Sequence, residues 1–521
     1  MVPVALEHVA WEGGCSMDED RACHHGEQSE LGGPSSEGGA DLISALPDDV
    51  IILVLVRLRC TRTAVHTGLL SRRWGGLWTH LPDLIFRDVA PSSLLVALSS
   101  LGHRGVSLLD IQVPAVQEDK LSSYRVSPSP RIGLRSSLRR RPTNYASSLL
   151  RAAARLSPAA LRFNHPQHLG KPFLDVDLSA CFRHATSIEV HAPFRSFPDP
   201  QFELPALQSL SLSGCRVSLA ILVPLCPCLH VLRVVDPFLQ VDDITVRSSS
   251  LQKLTVENNV VKSSTGCILV EAPVLKQFTM LLRTRGDFSV SISTPQVERV
   301  SWRCFYSGST AGLGLWGLSA ASLETQDSKG VRGAGDAPHC HVLCLHIFAR
   351  PFPRSYPDAE LGFGTEIEKH MIIDFSGLEV HLKTREHVFG AFLLRLLGMH
   401  RIRAATRSLK IVLQRFEMKD RCTPLVNCSC DEPKNWRTQT ISLTSLEKVE
   451  IKGFEGEDHE FDFLKLIFRC APMLKTVALE LSEGFTPRND WCQKIHSIFM
   501  AYPSVECSFE HSAESTQSSQ S

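Results

Sequence analysis

The chain has 521 residues, of which 43% are hydrophobic and 21% are charged. This composition is typical of a folded protein. Its 55 lysines and arginines balance 55 aspartates and glutamates, so the formal net charge is +0. The balance excludes a global electrostatic attraction to nucleic acid or to an anionic membrane, and we expect neither as a partner.

The length is too great for one ordinary core and predicts two to four structural units or one elongated repeat array. The 17 cysteines are odd in number and cannot all pair. The start of the chain has no charged segment followed by an apolar one, and the apolar run Val50–Val56 is too short to span a bilayer. We therefore expect free thiols and a soluble, intracellular protein located in the cytoplasm, the nucleus or both.

Residues 1–40 are acidic and glycine-rich, and we expect a disordered leader there. Three short helices are predicted in the segment 41–86. The first has Pro47 at its first helical position and places apolar residues at helical spacing through Leu58. The second runs from Thr63 to Leu70. The third covers Ser71–Trp78, where Gly75 and Gly76 weaken a helix or mark its end.

The middle of the chain repeats the pattern apolar-x-x-apolar-x-apolar every 22 to 24 residues, which is the period of leucine-rich repeats. Each copy predicts a short strand with one inward face, and stacked copies form a parallel sheet over a continuous core. A proline lies two residues before most copies, where no central ladder bond is lost. The copies begin at Ala185, Leu207, Leu229, Leu251, Leu275 and Val297.

Two stretches interrupt this array. Residues 117–143 are predicted to form a basic flexible loop, in which Arg139, Arg140 and Arg141 are either an import signal or phosphate contact, or simply a solvated charge run. Residues 307–338 are rich in Gly, Ser and Ala, and we expect a flexible loop there as well.

The repeat pattern returns near the end, at Leu446 and Leu474, with a predicted helix over Phe461–Cys470 between the two copies. Earlier strands of this region are predicted near Val342–Phe348 and Leu409–Leu413. The two copies and the helix between them are predicted to form a strand-helix-strand unit within a C-terminal region at 339–510, which is followed by a disordered tail at 511–521.

The motifs LPDD at Leu46–Asp49, LSRRW at Leu70–Trp74 and LWTHLP at Leu77–Pro82 resemble the F-box of plant proteins. The segment Leu446–Leu481 resembles the FBD region that follows the repeats in that family. The chain is therefore similar to plant F-box/LRR-repeat proteins with a C-terminal FBD-like region. The resemblance implies an α/β fold in which a three-helix F-box (41–86) precedes a leucine-rich-repeat solenoid (87–306) and a terminal FBD-like cap.

The resemblance also implies a function. The F-box would dock on a Skp-type adaptor, and through it on cullin and RING subunits, while the solenoid presents a target protein for ubiquitination. The alternative is a repeat scaffold that binds proteins without recruiting a ligase. The adaptor contacts implied by the F-box motif are Leu46, Pro47, Ile51, Leu55, Leu70, Ser71, Arg72, Trp74 and Trp78. The candidate target-facing positions are Gln208, Ser211, Arg233, Lys253 and Gln277.

Other chemistries have weaker signals. Gly312-x-Gly314-x-x-Gly317 matches a dinucleotide-binding string but lacks the strand and helix that such a site needs, which favours a loop. A cluster at 339–346 (His339, Cys340, His341, Cys344 and His346) and another at Cys422, Cys428 and Cys430 invite a zinc interpretation. Their spacing lacks regular zinc knuckles, so alternation along a strand is favoured and neither a metal nor a cofactor is expected. We also find no catalytic motif and expect a non-catalytic receptor.

Overall fold

In the computed structural model, the described part of the chain begins at Leu46. It comprises residues 46–114, 145–165, 174–175, 182–192, 194–195, 203–215, 217–235, 243–257, 266–284, 288–307, 311–326, 340–349, 359–384, 387–415, 429–483, 485–486 and 489–510. The predicted leader (1–40), basic loop (117–143) and tail (511–521) lie outside these residues, as do His339, Cys422 and Cys428.

The α-helices are α1 Asp48–Arg57, α2 Thr61–Thr67, α3 Pro91–Ser100, α4 Tyr145–Ala154, α5 Leu219–Leu222, α6 Ala359–Glu368, α7 Gly390–Gly398, α8 His400–Ala405, α9 Asp458–Cys470 and α10 Asn489–Met500. Short 3-10 helices occur at Leu77–His80, Val223–Leu225, Ser429–Asp431 and Lys434–Arg437. Within the described residues, no helix is both long and apolar enough to cross a membrane.

The strands are β1 Asp83–Arg87, β2 Leu108–Gln112, β3 Ala160–Asn164, β4 Leu174–Asp175, β5 Ser187–His191, β6 Phe194–Arg195, β7 Ser209–Ser213, β8 Val231–Val235, β9 Ile244–Arg247, β10 Lys253–Glu257, β11 Gly266–Glu271, β12 Gln277–Thr284, β13 Phe288–Ser293, β14 Arg299–Tyr306, β15 Gly312–Leu313, β16 Trp316–Gln326, β17 Cys340–Ala349, β18 Gly377–Lys383, β19 Ser408–Gln414, β20 Lys448–Phe454, β21 Thr476–Leu481 and β22 Glu506–Glu510.

The chain divides into two compact units. The first comprises residues 1–217 and 225–229, and the second comprises 218–224 and 230–521. In the first unit, β1, β2, β3, β5 and β7 pair in parallel in that order. One row of buried side chains crosses this sheet in register, namely Leu84, Leu109, Leu161, Ile188 and Leu210. The parallel sheet thus begins within the segment predicted as F-box, before residue 87.

The predicted repeat is confirmed in the second unit. Strands β8, β10, β12 and β14 pair in parallel and in register. Leu232, Leu254, Phe278 and Val300 form one buried row, and Val234, Val256, Met280 and Trp302 form the next. Because side chains of a strand alternate between its faces, both rows of each repeat point into the same core.

A recurring backbone contact sets the phase of each repeat. The carbonyl of Gln252 accepts hydrogen bonds from the N–H groups of both Lys276 and Gln277, at 2.9 and 3.0 Å. Equivalent paired contacts are made by the carbonyls of Thr186, His230, Lys276, Ser376, Arg407 and Glu447. Each strand therefore begins at a position determined by the preceding repeat.

The prolines that precede the repeats occupy tight turns. The N–H of Leu207 donates to the carbonyl of Leu204 at 3.2 Å, which closes a turn with Pro205 in its second position. Pro227, Pro273, Pro295 and Pro472 occupy the same position of equivalent turns. Proline suits this position because its fixed φ favours the turn and its missing N–H is not needed there.

The connections between the middle repeats are themselves strands. β9, β11 and β13 form a separate three-stranded parallel sheet, in which Ile244, Ile268 and Val290 share one row. The sequence prediction had not identified this sheet. Its strands are four to six residues long, and so short an alternation of apolar and polar residues is not distinguishable in the sequence from a loop.

The prediction of a flexible loop at 307–338 is wrong for residues 312–326. Here β16 lies antiparallel between β14 and β17. The Gly312-x-Gly314-x-x-Gly317 string forms a hairpin of β15 and β16, and Gly314 takes the positive φ of 59° that its turn requires. Small residues along β16, such as Ala320 and Ala321, produce the loop-like composition although the strand is hydrogen-bonded on both sides.

The C-terminal region continues with β17 to β22, which pair in parallel in chain order. The strands predicted near 342–348 and 409–413 are β17 and β19. The helix predicted over Phe461–Cys470 is confirmed as α9, and Phe463, Leu464 and Ile467 are buried on its inner face.

The three-helix arrangement predicted for residues 41–86 is not confirmed. Helices α1 and α2 are present, with α2 at Thr61–Thr67 in place of Thr63–Leu70. The third segment forms turns from Arg72 to Gly76 and only then a 3-10 helix at Leu77–His80. Gly76 has a φ of 89°, a left-handed conformation that ends any continuous helix through Ser71–Trp78.

A chain of buried polar side chains links β14 to α6. The Trp302 indole N–H donates to Nδ1 of His370 at 2.8 Å, and His370 Nε2 lies 2.7 Å from the Tyr306 hydroxyl. That hydroxyl donates to Glu366 at 2.7 Å, and Lys369 donates to the same carboxylate. Because Nδ1 is an acceptor, the neutral ring carries its proton on Nε2 and donates it to Tyr306. Burial lowers the pKa of His370 to about 3.

This pKa predicts an acid-sensitive fold. The folded state keeps His370 neutral, whereas the unfolded chain binds a proton below the ordinary pKa of 6.5, so stability is lost as pH falls towards about 3. In urea unfolding, the stability difference between wild type and His370→Gln should shrink by up to ~1.4 kcal/mol per pH unit below 6.5. A difference between wild type and His370→Gln that is constant with pH would contradict this account.

A second buried network precedes α9. The fully buried Glu460 accepts hydrogen bonds from the backbone N–H groups of Glu455, Gly456 and Glu457 at 3.0, 2.7 and 3.1 Å. Its other oxygen accepts from Arg415. Gly456 has a φ of 73°, and a Cβ there would lie 1.7 Å from the Trp491 indole nitrogen. One carboxylate therefore satisfies the donors of a turn that only glycine can make.

Glu460→Ala should lower the free energy of unfolding by about 3 kcal/mol, because it leaves buried N–H groups without an acceptor. The matched control is Glu480→Ala, which removes a partly exposed carboxylate paired with Lys452. That change should cost less than ~1 kcal/mol. Equal losses in urea unfolding would show that Glu460 has no special role.

Candidate protein-binding surfaces

The first candidate surface is an apolar stripe on α1. Val50, Leu53, Val54 and Leu58 are spaced as neighbours on one helical face, and all are exposed, with Leu53 at 64%. Exposed large apolar side chains in one stripe mark an interaction site when no part of the same chain covers them. Asp48 and Asp49 in the first turn favour the start of this helix through its dipole.

The face of α1 next to this stripe is interior. Ile51 and Leu55 are buried, and so is Trp78 in the 3-10 helix. Thr61 adds a polar contact, because its hydroxyl accepts a hydrogen bond from the N–H of Ile85 at 2.7 Å. Three of the predicted adaptor contacts, Ile51, Leu55 and Trp78, thus support the surface from within. Helical spacing alone did not distinguish the two apolar faces.

The turn segment after α2 carries the other exposed members. Leu69 and Leu70 are 76% and 74% exposed, and Ser71 and Arg72 are exposed beside them. Of the remaining predicted contacts, Pro47 is exposed, whereas Leu46 and Trp74 are half-buried. Leu53 and Leu69 were missed by sequence reasoning, although both lie within or beside the motifs that pointed to this region.

Arg73 ties the turn segment to α1. Its Nε and Nη2 donate to Oδ1 of Asp48 at 2.9 and 2.7 Å, and Nη2 also donates to the carbonyl of Leu46. The second arginine of LSRRW and the first aspartate of LPDD are therefore hydrogen-bonded partners. This contact positions Leu70 and Ser71 relative to the start of α1.

The second candidate surface is the solvent face of the repeat strands. In the first unit, Gln208 is exposed and Ser211 half-buried, and Ser211 lies in register with Glu189. In the second unit, Arg233, Lys253 and Gln277 are exposed on successive strands. Arg233 pairs with Glu257 at 3.4 Å. Ser211, Arg233, Lys253 and Gln277 alternate with the buried side chains of their strands, whereas Gln208 is exposed just before β7.

A third group combines cysteine and histidine side chains on β17 and β18. Cys344 and His346 come from the cluster singled out in the sequence, whereas Cys340 lies 3.1 Å from the Ser376 hydroxyl and His341 contacts Thr325. The structure adds His381, which the sequence prediction did not include. Cys430 is buried as a free thiol, and every cysteine in the described part of the chain is free.

The ionisable side chains in and around this group have pKa values shifted in opposite directions. Burial, aided by the charge of Glu379, raises the pKa of the Cys344 thiol to about 12. A hydrogen bond from His381, aided by Lys410, lowers the pKa of Glu379 to about 2. Burial, followed by the proximity of His381, lowers the pKa of His346. Near neutral pH this face therefore combines a protonated thiol, a neutral imidazole and a carboxylate.

Comparison with known proteins supports the resemblance predicted from the sequence. Residues 442–479 match the FBD family. The chain is 26% identical over 235 residues to an Arabidopsis thaliana F-box/LRR-repeat protein, covering 42% of this chain and 46% of the relative. It is 33% identical over 78 residues to an A. thaliana F-box protein, covering 15% and 25%. A putative FBD-associated F-box protein of the same plant is 50% identical over 48 residues, covering 9% and 11%.

The chain thus carries an FBD domain in its C-terminal region and is similar to plant proteins named for an F-box and leucine-rich repeats. It spans less than half the length of each of these three relatives. The FBD match includes β20, α9 and most of β21, together with the buried Glu460.

Proposed function

We propose that this protein is a substrate receptor of a cullin-RING ubiquitin ligase, with the region around α1 docking on a Skp-type adaptor. The observation that carries the proposal is the exposed apolar stripe of α1, together with the exposed Leu70 of the LSRRW motif and Leu69 directly before it. Burial of such side chains supplies the favourable term in association, and a few of them dominate the affinity of a typical interface.

In this proposal the buried face of α1 stabilises the segment and its exposed face contacts the adaptor. Ile51, Leu55 and Trp78 hold the segment in shape, and Arg73 aligns the turn with the helix. The direct contacts are assigned to Leu53, Leu70 and their exposed neighbours. This assignment moves the adaptor-contacting role away from the three interior residues that the motif implied.

The repeat strands would present the target. Lys253 and Gln277 face solvent on β10 and β12, each of which is hydrogen-bonded to a neighbouring strand on both sides. Arg233 on β8 is exposed as well, and Gln208 is exposed just before β7. Such positions accept substitution without disturbing the core, so they suit a surface that differs from one receptor to another. The receptor acts by proximity, because it raises the local concentration of target lysines near the charged enzyme. We place this non-catalytic activity in the cytoplasm or nucleus.

The test is the affinity of the full-length chain for a purified Skp-type adaptor. Leu53→Ser/Leu70→Ser should weaken binding at least ~10-fold, because each lost apolar contact is worth roughly 1.5 kcal/mol or more when buried. The control Val96→Ser alters an apolar residue on α3 that is 49% exposed and lies outside the proposed surface. It should bind like wild type.

A double variant that binds as tightly as wild type would overturn the assigned surface. Failure of the folded wild-type chain to bind any Skp-type adaptor would instead favour a repeat scaffold that does not recruit a ligase. That second function has one observation in its favour, because the third predicted helix is replaced by turns ending at Gly76. Circular dichroism of each variant separates a lost contact from a lost fold.

A further inference from the structure

Cys344, His346 and His381 converge on one face of adjacent strands. Cys344 and His346 are two residues apart on β17, so their side chains point the same way. His381 lies on β18 directly opposite His346 in the parallel register. The two imidazole rings stack with centroids 4.4 Å apart and planes 22° apart. The sheet therefore brings together three strong metal-ligand side chains from two strands.

The distances within this group suit one small cation. Cys344 Sγ lies 3.6 Å from His346 Nε2. A tetrahedral zinc ion, with bonds of about 2.3 Å to sulfur and about 2.1 Å to nitrogen, separates those two ligand atoms by about 3.6 Å. One ligand atom from each of the three residues lies within 4.8 Å of the others. The group is therefore compact enough for one ion to be shared by its three residues.

A carboxylate is already placed to orient one ligand. Glu379 lies two residues before His381 on β18, and its Oε1 is 2.8 Å from His381 Nε2. Lys410 on β19 holds the same oxygen at 2.9 Å. Among the described residues, buried Nδ1 of His381 has no hydrogen-bond partner. Metal-bound histidines usually have such a carboxylate beside them, because it sets the ring orientation and raises the basicity of the imidazole.

We propose that Cys344, His346 and His381 form a zinc site, with Glu379 as a positioning residue. Mixed sulfur and nitrogen donors favour a borderline-soft cation such as Zn²⁺ over Mg²⁺ or Ca²⁺, which prefer oxygen. Three protein ligands leave the fourth tetrahedral position to water. Binding converts the thiol to a thiolate, and its proton passes to solvent. The ion links β17 to β18 on the face opposite their buried leucines.

Cobalt is the probe for this site, because a Co²⁺ ion in a zinc site absorbs light through its bond to a thiolate. The full-length chain is stripped of metal with a chelator, titrated with Co²⁺, and then titrated with Zn²⁺ as competitor. Wild type should develop a thiolate-to-cobalt charge-transfer band that Zn²⁺ abolishes. Cys344→Ser should lose the band from this site, and His381→Gln should weaken Co²⁺ binding at least ~100-fold. Glu379→Gln should weaken it by ~10–100-fold, as expected for a carboxylate that orients a ligand.

Two matched controls separate this site from the other thiols and imidazoles. Cys340→Ser removes a thiol from the same strand, and His191→Gln removes a histidine held in the same way, with Nε2 2.9 Å from Glu189. Both should retain the band at wild-type affinity. A folded wild type without the band, or a band unchanged in Cys344→Ser and His381→Gln, would overturn the proposal. Far-UV circular dichroism confirms the fold of each variant, and none of these substitutions touches the adaptor surface.

Discussion

Backbone pairing between successive repeats is the interaction on which the rest of the structure depends. One carbonyl at the foot of a strand receives two consecutive N–H groups from the next strand, as Gln252 does for Lys276 and Gln277. This contact leaves no freedom in register, and a slip of one residue would turn every leucine outward. The location of the core and the identity of the solvent-facing residues both follow from it.

The core follows a period that can be read from the sequence, because each strand must present two inward side chains at the same phase as its neighbours. The spacing from Leu229 through Val297 therefore predicted the paired rows in the second unit. The same logic failed for β16, where alanine and serine replace large apolar residues although the strand is paired on both sides. Composition reflects side chains, whereas the pairing of β16 depends on its backbone.

For the candidate surfaces too, the sequence predicted only part of what the structure shows. The sequence motifs located the region around α1, but the face that meets solvent is decided by the packing of Trp78 and Leu77 beneath the helix. The Cys344 group was only half visible, because His381 belongs to the next strand and reaches His346 through the parallel register. Neighbours across a sheet are not neighbours in the chain, so no local spacing rule could have included it.

The interior of the second unit also contains polar chains that hydrophobic periodicity cannot foresee. His370 links Trp302 to Tyr306, and Glu460 gathers three N–H groups ahead of α9. Each hydrogen bond in these chains joins a donor to an acceptor, and the Tyr306 hydroxyl and the His370 ring act as both. Such networks favour a single arrangement of side chains, because any alternative leaves a buried polar atom unsatisfied.

The reversed direction of β16 has a consequence for how this architecture can vary. The strand meets β14 on one side and β17 on the other with antiparallel ladders, so the run that ends at β14 and the run that begins at β17 are not joined by a common repeat period. Whole coils could be gained or lost in either run without rephasing the other. β16 therefore separates the two runs of strands, so that coils before it could be exchanged while the FBD end stays intact.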